Sequence, residues 1–345
     1  MLSKPYLLIT PGDVRGIGYE IILKIFPKIK NFVPIMISPK FVLESQIKKI
    51  NCYLKPVYLP KNLLLDILDI NYPKTHILCV DTNTKNFLKD NKNIYDRRTA
   101  GFYTIQTLDL SIEIIKSFIN NKINFSLLTM PISKDAVSKY LNKNFSGHTE
   151  YISTKFNIKN FSMLMIGKHI PYNYKVLLLT RHLPLKDVSK NLRIENIVEQ
   201  TVATTKFIET KLKIPKIEIL FCGLNPHLGE NGKIGTEEKT VLKKSVQIIT
   251  NKLKNNKIIF PILTEKAFDY AKNKNNVLIV TLYHDQAMVP LKLLCGHNIA
   301  NLTVGLPFVR ISPGHGTAFD IAGKNVANVS PTLFCINLLN EIVNN

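Results

Sequence analysis

Three of the eight histidines, His182, His227 and His284, each follow a short apolar run and stand beside a rigid or turn-forming neighbour: Leu183-Pro184, Asn225-Pro226 and Asp285. Three imidazoles with coordination positions left open form a donor set for Zn²⁺ or a similar divalent ion in a catalytic site. Their spacings are too long for a local motif, so each alone could equally be an ordinary surface or core histidine. A second group suits an anion. Ser146-Gly147-His148-Thr149-Glu150 can offer imidazole, hydroxyl and backbone N–H to a phosphate, and Ser146 or Thr149 can also cap a helix. Lys292, Asn301 and Arg310 follow at even intervals. Arg310 is the most informative, because arginine is scarce in this lysine-rich chain and this one closes the apolar stretch Leu306-Pro307-Phe308-Val309. A guanidinium binds carboxylate or phosphate bidentately. Gly12-Asp13-Val14-Arg15-Gly16-Ile17-Gly18 could hold an anion at a helix start or form a simple tight turn. It is not G-x-G-x-x-G, and no ribose-binding acid follows, so an ordinary Rossmann dinucleotide site is not supported.

The elements that must position these residues alternate. Residues 7–9, 33–37, 125–129, 175–179, 217–222 and 277–280 read as strands, and 19–26 and 194–212 as helices. Ile105, Leu108, Ile112 and Ile115 recur at helical spacing. The polar stretch 89–98 reads as an exposed loop. This alternation predicts an α/β protein with a largely parallel core. In such folds ligands bind beyond the carboxyl ends of strands, which is where the three singled-out histidines fall.

Bulk properties narrow the function. At 345 residues and 45% hydrophobic composition, two domains of ordinary size are possible. Five scattered cysteines without a C-x-x-C pair argue against a disulfide framework or a thiolate zinc site. The formal charge of +21 is spread over the whole chain as lysine, without the concentrated arginine and aromatic stripe of a nucleic-acid surface, so no nucleic acid is expected. The charge would instead attract a small anionic substrate. No apolar run approaches a membrane span and the first ten residues lack a secretory pattern, so no membrane partner and a cytoplasmic location are expected.

Taken together, Gly12-Asp13…Gly16-Ile17-Gly18, Gly147-His148-Thr149-Glu150-Tyr151, His182-Leu183-Pro184-Leu185, Gly223-Leu224-Asn225-Pro226-His227, Tyr283-His284-Asp285-Gln286 and Gly305-Leu306-Pro307-Phe308-Val309-Arg310 resemble, in order, the signature segments of 4-hydroxythreonine-4-phosphate dehydrogenase. The resemblance implies an isopropylmalate dehydrogenase-like fold of two α/β/α domains with the active site in the interdomain cleft. The expected domains are 1–128 plus 300–345, carrying the cofactor loop, and 129–299, carrying the metal ligands and the dimer interface. It further implies His182, His227 and His284 as ligands of one divalent ion (Zn, Co or Mg), and His148, Thr149, Lys292, Asn301 and Arg310 as substrate-binding residues. A homodimer is implied, with the active site at the subunit interface and metal ligands drawn from both chains. The segment from His315-Gly316-Thr317 to Ala327-Asn328 is similar to the adenosine-binding loop of isocitrate and isopropylmalate dehydrogenases. This implies NAD or NADP as cofactor, with His315 and Asn328 at the adenine and Asp320 on the ribose. The chain departs from the family at Val14-Arg15, where Pro-Ala is usual.

The implied reaction is oxidation of 4-phosphooxy-L-threonine to 2-amino-3-oxo-4-phosphooxybutanoate. This β-keto acid decarboxylates to 3-amino-2-oxopropyl phosphate on the way to pyridoxine 5′-phosphate. Asp285 and Lys134 are candidate general bases. The rival expectation is a paralogue acting on a four-carbon sugar-acid phosphate such as threonate or erythronate phosphate.

Overall fold

The computed structural model describes residues 4–61, 64, 73–83 and 93–344. It contains two compact units: Met1–Asn157 with Phe308–Asn340, and Ile158–Pro307 with Glu341–Asn345. In chain order the first unit contributes β1 (Tyr6–Thr10), β2 (Val33–Ile37), β3 (Lys55–Tyr58), β4 (His76–Val80) and β5 (Phe125–Thr129). The second contributes β6 (Ser162–Gly167), β7 (Tyr174–Leu178), β8 (Glu218–Cys222), β9 (Lys257–Ile262), β10 (Val277–Thr281) and β11 (Ile299–Val304). The first unit then adds β12 (Val309–Pro313).

In the first unit the strand order is β3-β4-β2-β1-β5-β12, and these pairings are parallel. β1 and β5 are buried throughout. They read as continuous apolar runs because a parallel strand is covered on both faces. The helix Arg97–Asn120 starts at Asp96, whose carboxylate accepts Arg98 N and Thr99 N. This cap ends the polar stretch 89–98 earlier than its composition implies; 89–92 lie outside the described residues. The isoleucines and leucine at helical spacing face inward.

In the second unit the order is β11-β6-β7-β10-β8-β9. β7, β10, β8 and β9 are parallel, while β6 runs antiparallel to both β7 and β11. The core includes Val176, Leu178, Leu220, Ile279 and Leu291.

These units group residues 129–157 with the first sheet and 300–307 with the second, unlike the division expected from sequence. Packing gives the reason. After β5 the chain folds back, and Val137 and Phe145 bury against Ile105 and Leu108 of the long helix. β11 pairs along its length with β6. Among the described residues no helix is long and apolar enough to cross a membrane.

Candidate active site

Sheet order explains why the three histidines share a region. β10 lies between β7 and β8, all three parallel, so their carboxyl ends open on one edge of the second unit. His182 follows β7, His284 follows β10 and His227 follows β8. The rings of His182 and His284 stand 5.8 Å apart, centroid to centroid. His284 Nδ1 lies 2.7 Å from Asp285 Oδ1. A carboxylate can only accept, so Nδ1 carries the hydrogen, which leaves Nε2 as the ring nitrogen that could meet a metal ion. This is the usual bracing of a metal-ligating histidine. Asp285, a candidate base from sequence, therefore orients His284 in this geometry.

His227 is held differently. His227, Leu228, Gly229, Glu230 and Asn231 all have left-handed backbone, with φ of 51, 58, 78, 41 and 59°. A side chain at Gly229 would bring its Cβ to 2.6 Å from Gly235 O. Left-handed backbone is unfavourable for ordinary residues, and such strain gathers at functional sites. A buried carboxylate restrains this turn: Glu238 Oε1 accepts Leu224 N and Asn225 N, both at 2.8 Å, and Oε2 accepts Asn225 Nδ2 at 3.0 Å. Nothing in the sequence singled out Glu238, because Thr236-Glu237-Glu238-Lys239 reads as a solvated polar run. Among the described residues no three His, Cys, Asp or Glu side chains stand together as a metal-binding group within the chain. The donor chemistry of His182 and His284 fits two ligands of one ion.

Lys292 is exposed farther along the helix His284–Cys295. Asn301 lies on β11 opposite Met165, and its Oδ1 is buried with no hydrogen-bond partner among the described residues. An orphaned buried acceptor is costly, which suits a side chain that awaits a polar ligand.

The first unit brings together another set. Arg310, 2% exposed, donates from Nε and Nη2 to Thr129 Oγ1 at 3.1 and 2.6 Å, and from Nη1 to Thr149 Oγ1 at 2.9 Å. Burial pulls its pKa down to about 10, so it remains charged at neutral pH. His148 and Thr149 open the helix His148–Lys155 behind Gly147, whose φ is 150°. The approach is close: a Cβ at Gly147 would lie 3.1 Å from Glu150 Oε2 and 3.5 Å from Lys134 Cε. His148 Nε2 is buried without a partner among the described residues. Burial first, then the charges of Arg310 and Lys134, holds the imidazole well below its ordinary pKa. A helix start, a buried guanidinium, a histidine held neutral and Lys134, with the Glu150 carboxylate nearby, are groups that could meet an anion.

The 315–328 loop lies in the same unit. His315 Nδ1 is 3.0 Å from Gly316 O, Asp320 is exposed, and Asn328 Oδ1 accepts Ser330 N at 2.9 Å. Asn328 thus helps start the helix Ser330–Asn344 in this geometry. Buried Glu20 fixes the loop by accepting Gly323 N, Asn325 N and Ala327 N. Glu20 had no sequence signal of its own, since a single glutamate in the first turn of the expected helix 19–26 reads as an ordinary helix-start residue. Arg15, the departure from the family pattern, is bound three times by Asp13 and lies 4.8 Å over the Phe319 ring.

Comparison with known proteins decides the family. The model of the pyridoxal phosphate biosynthetic protein PdxA family matches residues 54–339, well over half the chain. The chain belongs to the PdxA family. It is 32% identical over 352 residues to 4-hydroxythreonine-4-phosphate dehydrogenase of Sulfurihydrogenibium sp. (strain YO3AOP1), covering 96% of each chain. It is 31% identical to the Aquifex aeolicus enzyme of the same name, covering 97% of each. Among solved structures, a 4-hydroxythreonine-4-phosphate dehydrogenase from Burkholderia phymatum superposes with a TM-score of 0.75 at 26% identity, covering 98% of each chain. A terephthalate 1,2-cis-dihydrodiol dehydrogenase from Burkholderia xenovorans LB400 shares the fold at a TM-score of 0.62 and 20% identity, covering 98% of each. The PdxA family thus supplies the frame in which the two residue sets are read.

Proposed function

We propose that the chain oxidises 4-phosphooxy-L-threonine with NAD or NADP to 2-amino-3-oxo-4-phosphooxybutanoate, whose decarboxylation yields 3-amino-2-oxopropyl phosphate for pyridoxine 5′-phosphate formation. The observation that carries this reading is the His182–His284 pair, braced by Asp285, in a chain whose relatives over 96–97% of its length bear the dehydrogenase name. His182, His227 and His284 would hold a divalent ion, Zn²⁺ or Co²⁺ by donor type, which when bound supplies positive charge beside the oxygen at the oxidised carbon, while the nicotinamide takes the hydride. The protein's own contribution is binding and orientation. Asp285 keeps the His284 ring in one tautomer. Arg310, held by Thr129 and Thr149, offers fixed charge to the substrate's anionic groups, and Lys292 adds a mobile one. His148 Nε2 and Asn301 Oδ1 are polar atoms that a bound substrate would satisfy. Asp320 is assigned to the cofactor ribose. Lys134, beside His148, remains the candidate base.

A second copy of the chain is part of the proposal. Leu183 (40% exposed), Leu185 (71%), Val289 (53%) and Leu293 (82%) flank the His182 and His284 segments. Large apolar side chains exposed around a site suit a protein partner.

Two experiments test the reading. NADH or NADPH formation is expected on 4-phosphooxy-L-threonine and is lost after chelation; turnover confined to threonate or erythronate phosphate would overturn the substrate assignment. Mixing His182→Ala and His227→Ala subunits, each inactive alone, restores activity if the histidines come from two chains. Mixtures as inactive as their parents would overturn the shared site.

A further inference from the structure

The three histidine segments meet at one side chain. Gln286 is 8% exposed and is the third residue of the helix His284–Cys295. Its Oε1 accepts Leu282 N at 2.7 Å, and its Nε2 donates to Gly223 O at 2.7 Å and to Thr264 Oγ1 at 3.0 Å. The carbonyl of the same Leu282 accepts Thr180 Oγ1 at 2.6 Å and Thr180 N at 3.3 Å. Leu282 leads into His284, Thr180 into His182, and Gly223 into the turn that carries His227.

We infer that Gln286 is a positioning residue for the three histidines, acting through the backbone of all three segments. The inference rests on the metal-site reading above. Helix capping alone does not explain the residue. A glutamate at this helical position would accept Leu282 N, the amide just before the Tyr283 N-cap, equally well. Only an amide also supplies the two donors that Gly223 O and Thr264 Oγ1 use. A carboxylate there would set a lone pair against the Gly223 carbonyl. The side chain therefore does for the His227 segment what the cap does not require. The Leu282 backbone becomes a shared node, gripped at its N–H by Gln286 and at its C=O by Thr180. A shift of any one segment is then passed to the other two.

Co²⁺ titration of the metal-free full-length protein tests this, read by visible absorption and a competing chelator, with the melting temperature measured alongside. Gln286→Glu, which keeps shape and cap, is expected to weaken Co²⁺ binding about tenfold and to change the absorption bands, in line with the usual effect of residues supporting metal ligands. Thr180→Val is expected to weaken binding less. The double variant should lose less than the sum of the two, because both act on the backbone of one residue, Leu282. Gln286→Glu with unchanged Co²⁺ affinity and spectrum overturns the inference, even if it melts earlier. Should that variant fail to fold, Thr180→Val carries the test, and an unchanged spectrum there overturns it. Wild-type protein that takes up no Co²⁺ overturns the metal-site reading instead.

Discussion

Removal of the Glu238 carboxylate should loosen the His227 turn without unfolding the unit. Four non-glycine residues of that turn, His227, Leu228, Glu230 and Asn231, have φ between 41 and 59°. Left-handed backbone costs roughly 1–2 kcal/mol for each such residue, so the turn holds on the order of 4–8 kcal/mol of strain. Opposing it, Glu238 makes two charge-assisted bonds to backbone N–H at 2.8 Å. Each contributes about 1.5–3 kcal/mol, or roughly 3–6 kcal/mol together. Strain and restraint are of the same size, so loss of the restraint tips the turn toward ordinary backbone. Glu238→Ala should therefore speed hydrogen exchange at the Leu224 and Asn225 amides about a hundredfold, the factor for roughly 3 kcal/mol of easier local opening. Co²⁺ affinity should fall with it. Glu238→Gln keeps an acceptor oxygen and loses only the charge, so its effect should be about half as large in free energy. Exchange rates and Co²⁺ affinity unchanged in Glu238→Ala would refute the claim that this carboxylate holds the turn.

Arg310→Ala removes the guanidinium that Thr129 and Thr149 hold, and should raise KM for the phosphorylated substrate by about tenfold to a hundredfold, on the scale of one charge-assisted contact, with little change in KM for NAD; equal increases in both would count against its role. Stability should also fall in mild acid through His148. Its folded pKa is held well below 6.5 by burial, then by Arg310 and Lys134. Below about pH 6.5 the unfolded chain therefore takes up a proton that the folded chain refuses, and stability declines down to the folded pKa. His148→Gln should flatten the loss of melting temperature between about pH 6.5 and 5; an unaltered slope would show that other groups govern it.

What the sequence by itself determined was the set of parts. The apolar runs at β1, β2, β5, β7, β8 and β10 were legible because parallel strands buried on both faces must be apolar throughout. The histidines after β7, β8 and β10 were legible because loops at strand ends are tethered to the runs before them. β3, β4, β6, β9, β11 and β12 were not marked out in advance, although β6 has the apolar run Met163–Ile166 of an interior strand, while β12 carries Arg310, Ser312 and Pro313 among its five residues. Only the tertiary structure decided that β10 lies between β7 and β8, and strand order depends on contacts between residues far apart in the chain. The groups that hold the site were hidden for the same reason. Glu20, Glu238 and Gln286 are polar residues whose partners lie on other segments, so local pattern treats them as surface. Burial turns each into a fixed acceptor or donor for backbone that would otherwise move. Asn328 shows the reverse: its place in a loop resembling an adenosine site was legible, while its bond to Ser330 N emerged only when the final helix was in place.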